Sequence, residues 1–174
     1  MTVLLLLWSL LGVSGVPAES PARAGAEIDA AKAFELLKTL EGTWEAAASD
    51  GRKATTTFEL VANGSVLLER YSNPAMPGAG RMVSAYHLDG PSLVLTHYCI
   101  AKNQPTLRAA TYDSDARQIQ FEFLRAGSLP DQNAGHMRRA MYRVTSKDAF
   151  TTEWEFFARG QRTFAEVEHF TRVR

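Results

Sequence analysis

Hydrophobic and polar residues alternate along most of this chain, in about ten short runs between Thr43 and Arg172. Residues two apart on a β-strand share a face, so each run predicts a strand with one buried side. X-Gly pairs and single glycines, which favour hairpin turns, separate runs at Asp50-Gly51, Asn63-Gly64, Asp89-Gly90 and Gly160. A meander of this length must close or stack to protect its edge strands. The pattern therefore predicts an all-β fold, an antiparallel up-and-down β-barrel of about ten strands.

One helix is predicted ahead of the strands, beginning after the N-cap residue Asp29 and ending near Thr39. Its apolar positions form one stripe, made of Ala33, Phe34, Leu37 and Leu40. A helix this short is not stable alone, so its stripe must pack on another element. We expect it to close one end of the barrel, with Phe34 or Leu37 against the barrel floor and Trp44 close by.

The N-terminal residues are predicted to lie outside this fold. Residues 3–13 are an apolar stretch of signal-peptide length, too short to span a bilayer, and small residues at 13–18 offer two cleavage sites. No Lys or Arg precedes the stretch, which departs from the usual pattern. We therefore expect a signal peptide at 1–18, a disordered linker at 19–27 and a barrel domain at 28–174. Such a protein is exported, to the periplasm or the cell exterior, with no stable membrane insertion after cleavage.

The composition limits the expected partners. The chain has 19 Lys and Arg against 19 Asp and Glu, and its arginines are scattered rather than gathered in a basic run. Nucleic acid is therefore not an expected partner, and neither is an anionic membrane surface. The single cysteine, Cys99, cannot form an internal disulfide, and no cysteine lies directly after the apolar stretch, which argues against a lipid anchor.

The order of elements resembles the calycin group of barrels. A leading helix, a Gly-x-Trp at 42–44, about ten antiparallel strands and a closing Thr-Arg-Val at 171–173 carry that resemblance. Within the group the chain is similar to lipocalin-like and nitrobindin-like barrels and to a family of bacterial exported lipocalin-like domains. Further residues that carry the likeness lie at 86–90, 96–99 and 103–105. The resemblance implies a cup-shaped barrel, but two features of fatty-acid-binding proteins are missing, the helical pair after the first strand and an Arg-x-Tyr near the C-terminus.

A small, mostly apolar ligand in the barrel interior is the expected partner, and the densest polar cluster marks its predicted site. Strand alternation does not clearly place these hydrogen-bonding side chains in solvent. In an otherwise aromatic cavity, a few such groups can orient a bound ligand. The predicted ligand-binding residues are His97, Tyr98, Cys99, Asn103, Gln104, His136 and Trp154. Alternation places His97 and Cys99 on one face of their strand without deciding which face is inside.

Two other functions remain open from the sequence. An enzyme, redox or metal site could be built on His97, Cys99 and His136, as a soft-metal site or a thiolate–imidazole pair. No Cys-x-x-Cys or His-x-x-x-His supports it, so we predict no metal and no cofactor. Alternatively, aromatic residues fill the barrel, which then acts through its surface.

The last predicted strand has two faces, and one of them must point into the barrel. One face carries His169 with Ala165 and Val167 and is the more apolar, so His169 is predicted to point inward. The resemblance to nitrobindin-like barrels, which place a haem-ligating histidine near the C-terminus, makes haem ligation by His169 a weak alternative. The other face carries Glu166 and Glu168, whose carboxylates should prefer water. Glu69, Glu153 and Glu155 are likewise expected to face solvent.

Overall fold

Ten antiparallel strands close into a barrel with one helix, in a computed structural model that describes residues 28–47, 52–131 and 133–173. The elements are α1 (Ala30–Lys38), β1 (Gly42–Ala47), β2 (Lys53–Val61), β3 (Val66–Ser72), β4 (Met82–Asp89), β5 (Ser92–Tyr98), β6 (Gln104–Asp113), β7 (Gln118–Gly127), β8 (His136–Ser146), β9 (Ala149–Ala158) and β10 (Gln161–Arg172). Each strand pairs with its neighbours in sequence, and β1 pairs with β10 to close the ring. The predicted all-β up-and-down barrel is confirmed.

Some predictions fall on residues outside this description. They are the signal peptide, the linker and the Asp50-Gly51 turn. Within the described residues, no helix has the length and apolar character needed to cross a bilayer.

The helix covers one end of the barrel. The Asp29 side chain caps it by accepting a hydrogen bond from the Lys32 backbone N–H at 3.0 Å. Its buried face includes Phe34 and Leu37, which belong to the hydrophobic core of the barrel, and the helix contacts β4, β5 and β6. The amphipathic stripe therefore seals the end where β1 begins and β10 finishes, as predicted.

Trp44 and Arg172 join the helix end to the barrel closure. The Trp44 ring is fully buried, donates from Nε1 to the Leu40 carbonyl at 2.7 Å, and lies under the Arg172 guanidinium, 4.0 Å from the ring centroid. Arg172 also donates to the carbonyls of Glu41 and Thr39, at 2.7 and 3.1 Å. Strand pairing sets Trp44 directly opposite Arg172. The C-terminal strand is thereby attached to the segment that follows α1.

Gly42 is required for this close approach. Its φ is +120°, a conformation that side chains rarely adopt, and a Cβ there would lie 2.7 Å from Nη1 of Arg172. Each of the two fixed residues of the Gly-x-Trp motif, Gly42 and Trp44, therefore has a structural role.

An aromatic layer fills the half of the barrel nearest the helix. Phe150 stacks on Phe170 with ring centroids 4.8 Å apart and meets Trp44 edge-on at 4.8 Å. The other fully buried rings of the layer are Phe58, Tyr86, Phe121 and Tyr142. These rings pack against one another in the barrel interior, with further contacts between Phe58 and Tyr86 at 6.4 Å and between Phe121 and Tyr142 at 6.3 Å.

The predicted orientation of β10 is wrong. Phe170 is buried in the aromatic layer, so alternation sends Glu168 and Glu166 to the inside as well. His169 is exposed on the outer face, where its Nδ1 lies 2.9 Å from the Thr151 hydroxyl. The large Phe170 ring decides the register, and the two carboxylates follow it inside.

Candidate ligand-binding site

An apolar cleft opens at the end of the barrel opposite the helix. It has a volume of about 640 Å³, and we call it the mouth cleft. Its lining residues are Met76, Pro77, Gly78, Met82, Cys99, Ile100, Ala101, Met137, Phe156, Phe164 and Glu166. They come from the β3–β4 and β5–β6 connections, the start of β8, and the β9–β10 hairpin. Glu166 is the one charged residue among them.

A small cavity with several polar side chains in its wall lies beneath the mouth cleft, and we call it the recess. Its volume is about 30 Å³, which holds one or two water-sized groups. Its lining residues are Glu69, Tyr71, Met82, Ser84, His97, Met137, Thr152, Trp154, Glu166, Glu168 and Phe170. Met82, Met137 and Glu166 line both spaces, so the recess continues the cleft into the barrel.

His97 presents a free ring nitrogen in the wall of the recess. It is only 4% exposed, its Nδ1 lies 3.0 Å from the Ser84 hydroxyl, and its ring packs on Trp154 with centroids 4.8 Å apart. Burial lowers the pKa of His97 to about 4, so the imidazole is neutral at pH 7. Nε2 has no hydrogen-bond partner among the described residues, and neither has the buried hydroxyl of Thr152. Unpaired buried polar atoms of this kind are rare and call for a partner.

Glu69 forms the polar floor of the recess. Its carboxylate accepts hydrogen bonds from Tyr86 at 2.5 Å, Thr56 at 3.0 Å and Tyr142 at 3.2 Å. Burial raises the pKa of Glu69, and these hydrogen bonds offset part of the rise. The expectation that Glu69 faces solvent is therefore wrong. Leu67, two residues earlier, is fully buried, and strand alternation carries Glu69 to the same inner face.

Two further carboxyl groups of β10 line the recess. Tyr71 donates to Glu168 at 2.9 Å and accepts a hydrogen bond from Asn73 at 3.1 Å. Burial raises the pKa of Glu168 to about 7, since the Tyr71 hydrogen bond opposes this only in part and the charges of Glu166 and Glu69 add to it. Burial raises the pKa of Glu166 too. Of the residues that the structure describes, no Lys or Arg lines the recess or the mouth cleft.

Three of the seven predicted site residues line these two spaces. His97 and Trp154 line the recess, and Cys99 lines the mouth cleft. Tyr98 is half exposed and lies on the opposite face of β5. A role of these residues in binding stays a prediction.

The other three predicted residues support the loops around the mouth. Asn103 is buried and donates from Nδ2 to the Gly135 carbonyl at 2.7 Å, which joins the β5–β6 connection to the start of β8. Gln104 begins β6 and is half-buried. His136 donates from Nδ1 to the Ala134 carbonyl at 2.8 Å, packs against the tilted ring of Phe123, and lines neither the mouth cleft nor the recess. Their binding roles also stay predictions.

His97, Cys99 and His136 do not line one common cavity. His97 is in the recess, Cys99 in the mouth cleft, and His136 in neither. Burial raises the pKa of the Cys99 thiol, which disfavours a thiolate at neutral pH. Over the described part of the chain, no group of three or more His, Cys, Asp or Glu side chains is placed to hold a metal ion. The contacts therefore do not favour the alternative of a thiolate–imidazole pair.

Glu155, the last of the expected surface carboxylates, is buried on the outer side of the barrel. It is 8% exposed and pairs with Arg162 at 2.8 Å and Arg139 at 3.4 Å. It lines a shallow surface groove and neither space at the mouth.

No protein-family model matches the sequence, and no curated protein matches it at a significant level. The closed barrel of ten strands with a single helix is consistent with a calycin-like barrel.

Proposed function

We propose that this protein is a binding barrel that holds one small, mainly apolar molecule in the mouth cleft, with a polar group of that molecule in the recess. One observation carries the proposal. An apolar cleft leads into a cavity lined by His97 and Thr152, whose Nε2 and Oγ1 atoms have no hydrogen-bond partner in the described part of the chain. Ligand sites are commonly apolar concavities with a few convergent polar groups, in the volume range of this cleft.

The two volumes define the shape of the ligand. The recess admits only a water-sized group, whereas the mouth cleft has room for an apolar body of several carbon atoms. Burying about 200 Å² of apolar surface in the cleft would gain roughly 5 kcal/mol, part of which is offset by immobilising the ligand. A gain of roughly 5 kcal/mol corresponds to a Kd of about 0.2 mM before that offset, so Kd values from about 0.2 mM into the millimolar range are expected for a simple apolar guest.

The test is a titration with the neutral dye Nile Red, followed by its fluorescence. Phe164 lines the mouth cleft and stacks on Phe156 at 5.1 Å, so Phe164→Asp places a charge on the apolar wall. We expect this variant to bind the dye at least tenfold more weakly than the wild type. Val167 lies on the same strand, is exposed and lines neither space, so Val167→Asp is the matched control and should bind within about twofold of the wild type. Equal binding by all three proteins, or no binding by the wild type, would contradict the proposal.

We also propose that the protein acts after export. The apolar stretch at 3–13 and the small residues at 13–18 support this location. A binding barrel in the periplasm or cell exterior would meet its ligand there, and the balanced charge of the chain gives no reason to expect nucleic acid.

A further inference from the structure

Acidic side chains are concentrated in the recess, and the described residues that line it include no Lys or Arg. Glu69, Glu166 and Glu168 line it, and no salt bridge joins any of the three to a Lys, Arg or His among the described residues. Glu69 is satisfied by three hydroxyl donors, whereas Glu168 has one and Glu166 has no side-chain hydrogen bond within the same residues. Glu166, which lines both the recess and the cleft, and Glu168, which lines the recess, therefore have no positively charged partner among the described residues.

We propose that the ligand of this barrel is a primary amine, and that its ammonium group enters the recess between Glu166, Glu168 and His97. This inference rests on the proposed binding function and names the chemistry of the bound group. It also accounts for an observation independent of the carboxyl groups, the free Nε2 of the buried His97.

The hydrogen-bond inventory of the recess fits an ammonium group. An ammonium has three N–H donors and no acceptor. The recess offers three kinds of acceptor, the Nε2 of His97, the hydroxyl of Thr152 and the carboxylates of β10. Nε2 accepts when Nδ1 carries the proton and donates it to the Ser84 hydroxyl, 3.0 Å away. The Trp154 ring adds an aromatic surface that favours a nearby cation.

The size of the recess separates a primary amine from bulkier cations. A volume of about 30 Å³ accepts a group the size of water, which an ammonium is, and rejects a trimethylammonium or a guanidinium. The apolar tail of the amine would lie in the mouth cleft against the flexible side chains of Met76, Met82 and Met137. A carboxylate ligand is disfavoured because it would meet three acidic groups and no cation.

The same arrangement makes amine binding pH-dependent. The titratable groups that face the ammonium position are Glu69 and Tyr71 on β3, His97 on β5, and Glu166 and Glu168 on β10. An alkylamine stays protonated up to about pH 10, so its affinity follows the ionisation of the carboxyl groups. The pKa of Glu168 is raised to about 7, so near neutral pH this carboxyl group is partly protonated. A bound ammonium should favour its ionised form, and Glu168 should therefore lose its proton when the amine binds. Affinity should therefore rise at least about fivefold from pH 5.5 to 8, with proton release on binding.

The experiment compares four ligands with the same eight-carbon tail by isothermal titration calorimetry at pH 7.5. We expect octylamine to bind at least tenfold more tightly than 1-octanol, and octanoate and octyltrimethylammonium to bind more weakly than octylamine. Titration in buffers of different ionisation enthalpy at pH 6.5 measures the proton released.

A double variant tests whether the stronger binding of octylamine depends on the carboxyl groups of the recess. In the double variant Glu166→Gln, Glu168→Gln, the affinity for octylamine should fall to that for octanol. The affinity for octanol itself should change by less than about twofold. Glu153→Gln makes the same chemical change at a surface groove outside the recess and should leave all affinities unaltered.

The outcomes separate this inference from the proposed function. If octanol and Nile Red bind but octylamine gains nothing over octanol, or keeps its gain in the double variant, the amine assignment is overturned and the binding barrel stands. If octanoate binds most tightly, the amine assignment is likewise overturned. If neither the dye nor any alkyl ligand binds the wild type, both fail.

Discussion

Replacing Trp44 should remove a large part of the stability of this barrel. The ring is fully buried, donates a hydrogen bond to the Leu40 carbonyl, and stacks edge-on against Phe150. Deleting a buried aromatic side chain costs about 3–5 kcal/mol, because the apolar contacts are lost and a cavity remains. Since domains of this size are stable by only about 5–15 kcal/mol, we expect Trp44→Ala to lower the free energy of unfolding by roughly 4 kcal/mol.

Part of this loss of stability comes from the contact between Trp44 and Arg172. The guanidinium lies 4.0 Å from the Trp44 ring centroid, an arrangement worth about 0.5–2 kcal/mol. A double-mutant cycle of Trp44→Ala with Arg172→Ala should therefore show a coupling energy of about 1 kcal/mol. Trp44→Phe keeps most apolar contacts but removes the Nε1 donor, and should cost about 1–2 kcal/mol.

Urea unfolding followed by circular dichroism measures these differences. The matched control is Phe164→Ala, which truncates an aromatic side chain that is nearly half exposed at the mouth, and should cost less than about 1.5 kcal/mol. A loss below about 1 kcal/mol for Trp44→Ala would mean that the ring is not buried between the helix and the barrel, and would refute the structural reasoning.

Three further predictions concern pH, the thiol and processing. His97 should contribute a loss of stability as pH drops from about 6.5 to 4, since its pKa is lowered to about 4 and the unfolded chain takes the proton first. Glu168 should make the opposite contribution, a loss of stability as pH rises from about 4.5 to 7, since its pKa is raised to about 7. In urea titrations at each pH, stability should therefore rise more steeply between about pH 4.5 and 7 in Glu168→Gln than in the wild type, and an unchanged profile would refute this. Cys99 should react with a disulfide reagent more slowly than free cysteine at pH 7, because burial raises its pKa, and an equal rate would count against the half-buried placement. Mass spectrometry of exported protein should find cleavage close to Ala18, and a chain that still begins at Met1 would refute the signal peptide.

The fold was predictable because its signals are local. Strand alternation needs only residues two apart, and the turns at Asn63-Gly64 and Asp89-Gly90 need only adjacent residues. In the structure Asn63 and the two glycines all have positive φ, as the turn chemistry demands. The Asp29 cap and the helix stripe are local in the same way.

The orientation of individual strands was harder to predict, because both faces of β10 carry apolar residues. Val167 made one face look like the interior, and the rule that carboxylates prefer water pointed the same way. The rule failed because Glu168 finds the Tyr71 hydroxyl, 97 residues away in sequence, at 2.9 Å. A signal was nevertheless present, since Phe164 and Phe170 share the face of the two glutamates.

The candidate site was only partly predictable from sequence. His97 and Trp154 were chosen for their chemistry, yet the unpaired Nε2 that makes His97 informative depends on its packing against Trp154 and Ser84. Asn103 was predicted to bind the ligand, and the structure adds a hydrogen bond from its Nδ2 to the Gly135 carbonyl, 32 residues away in sequence. The mouth cleft itself is assembled from separate hairpin connections, so no single segment of the sequence could predict it.

The central claim, that a ligand binds at the mouth of the barrel, is tested most directly by methionine-methyl NMR. Met76, Met82 and Met137 line the mouth cleft, whereas Met141 lines a groove on the outer surface and serves as an internal reference. Addition of octylamine or Nile Red to protein labelled with 13C in the methionine methyl groups should shift the first three resonances and leave that of Met141 in place. A ligand that shifts Met141 as strongly as the others, or that shifts none of the three cleft methionines, would contradict the account.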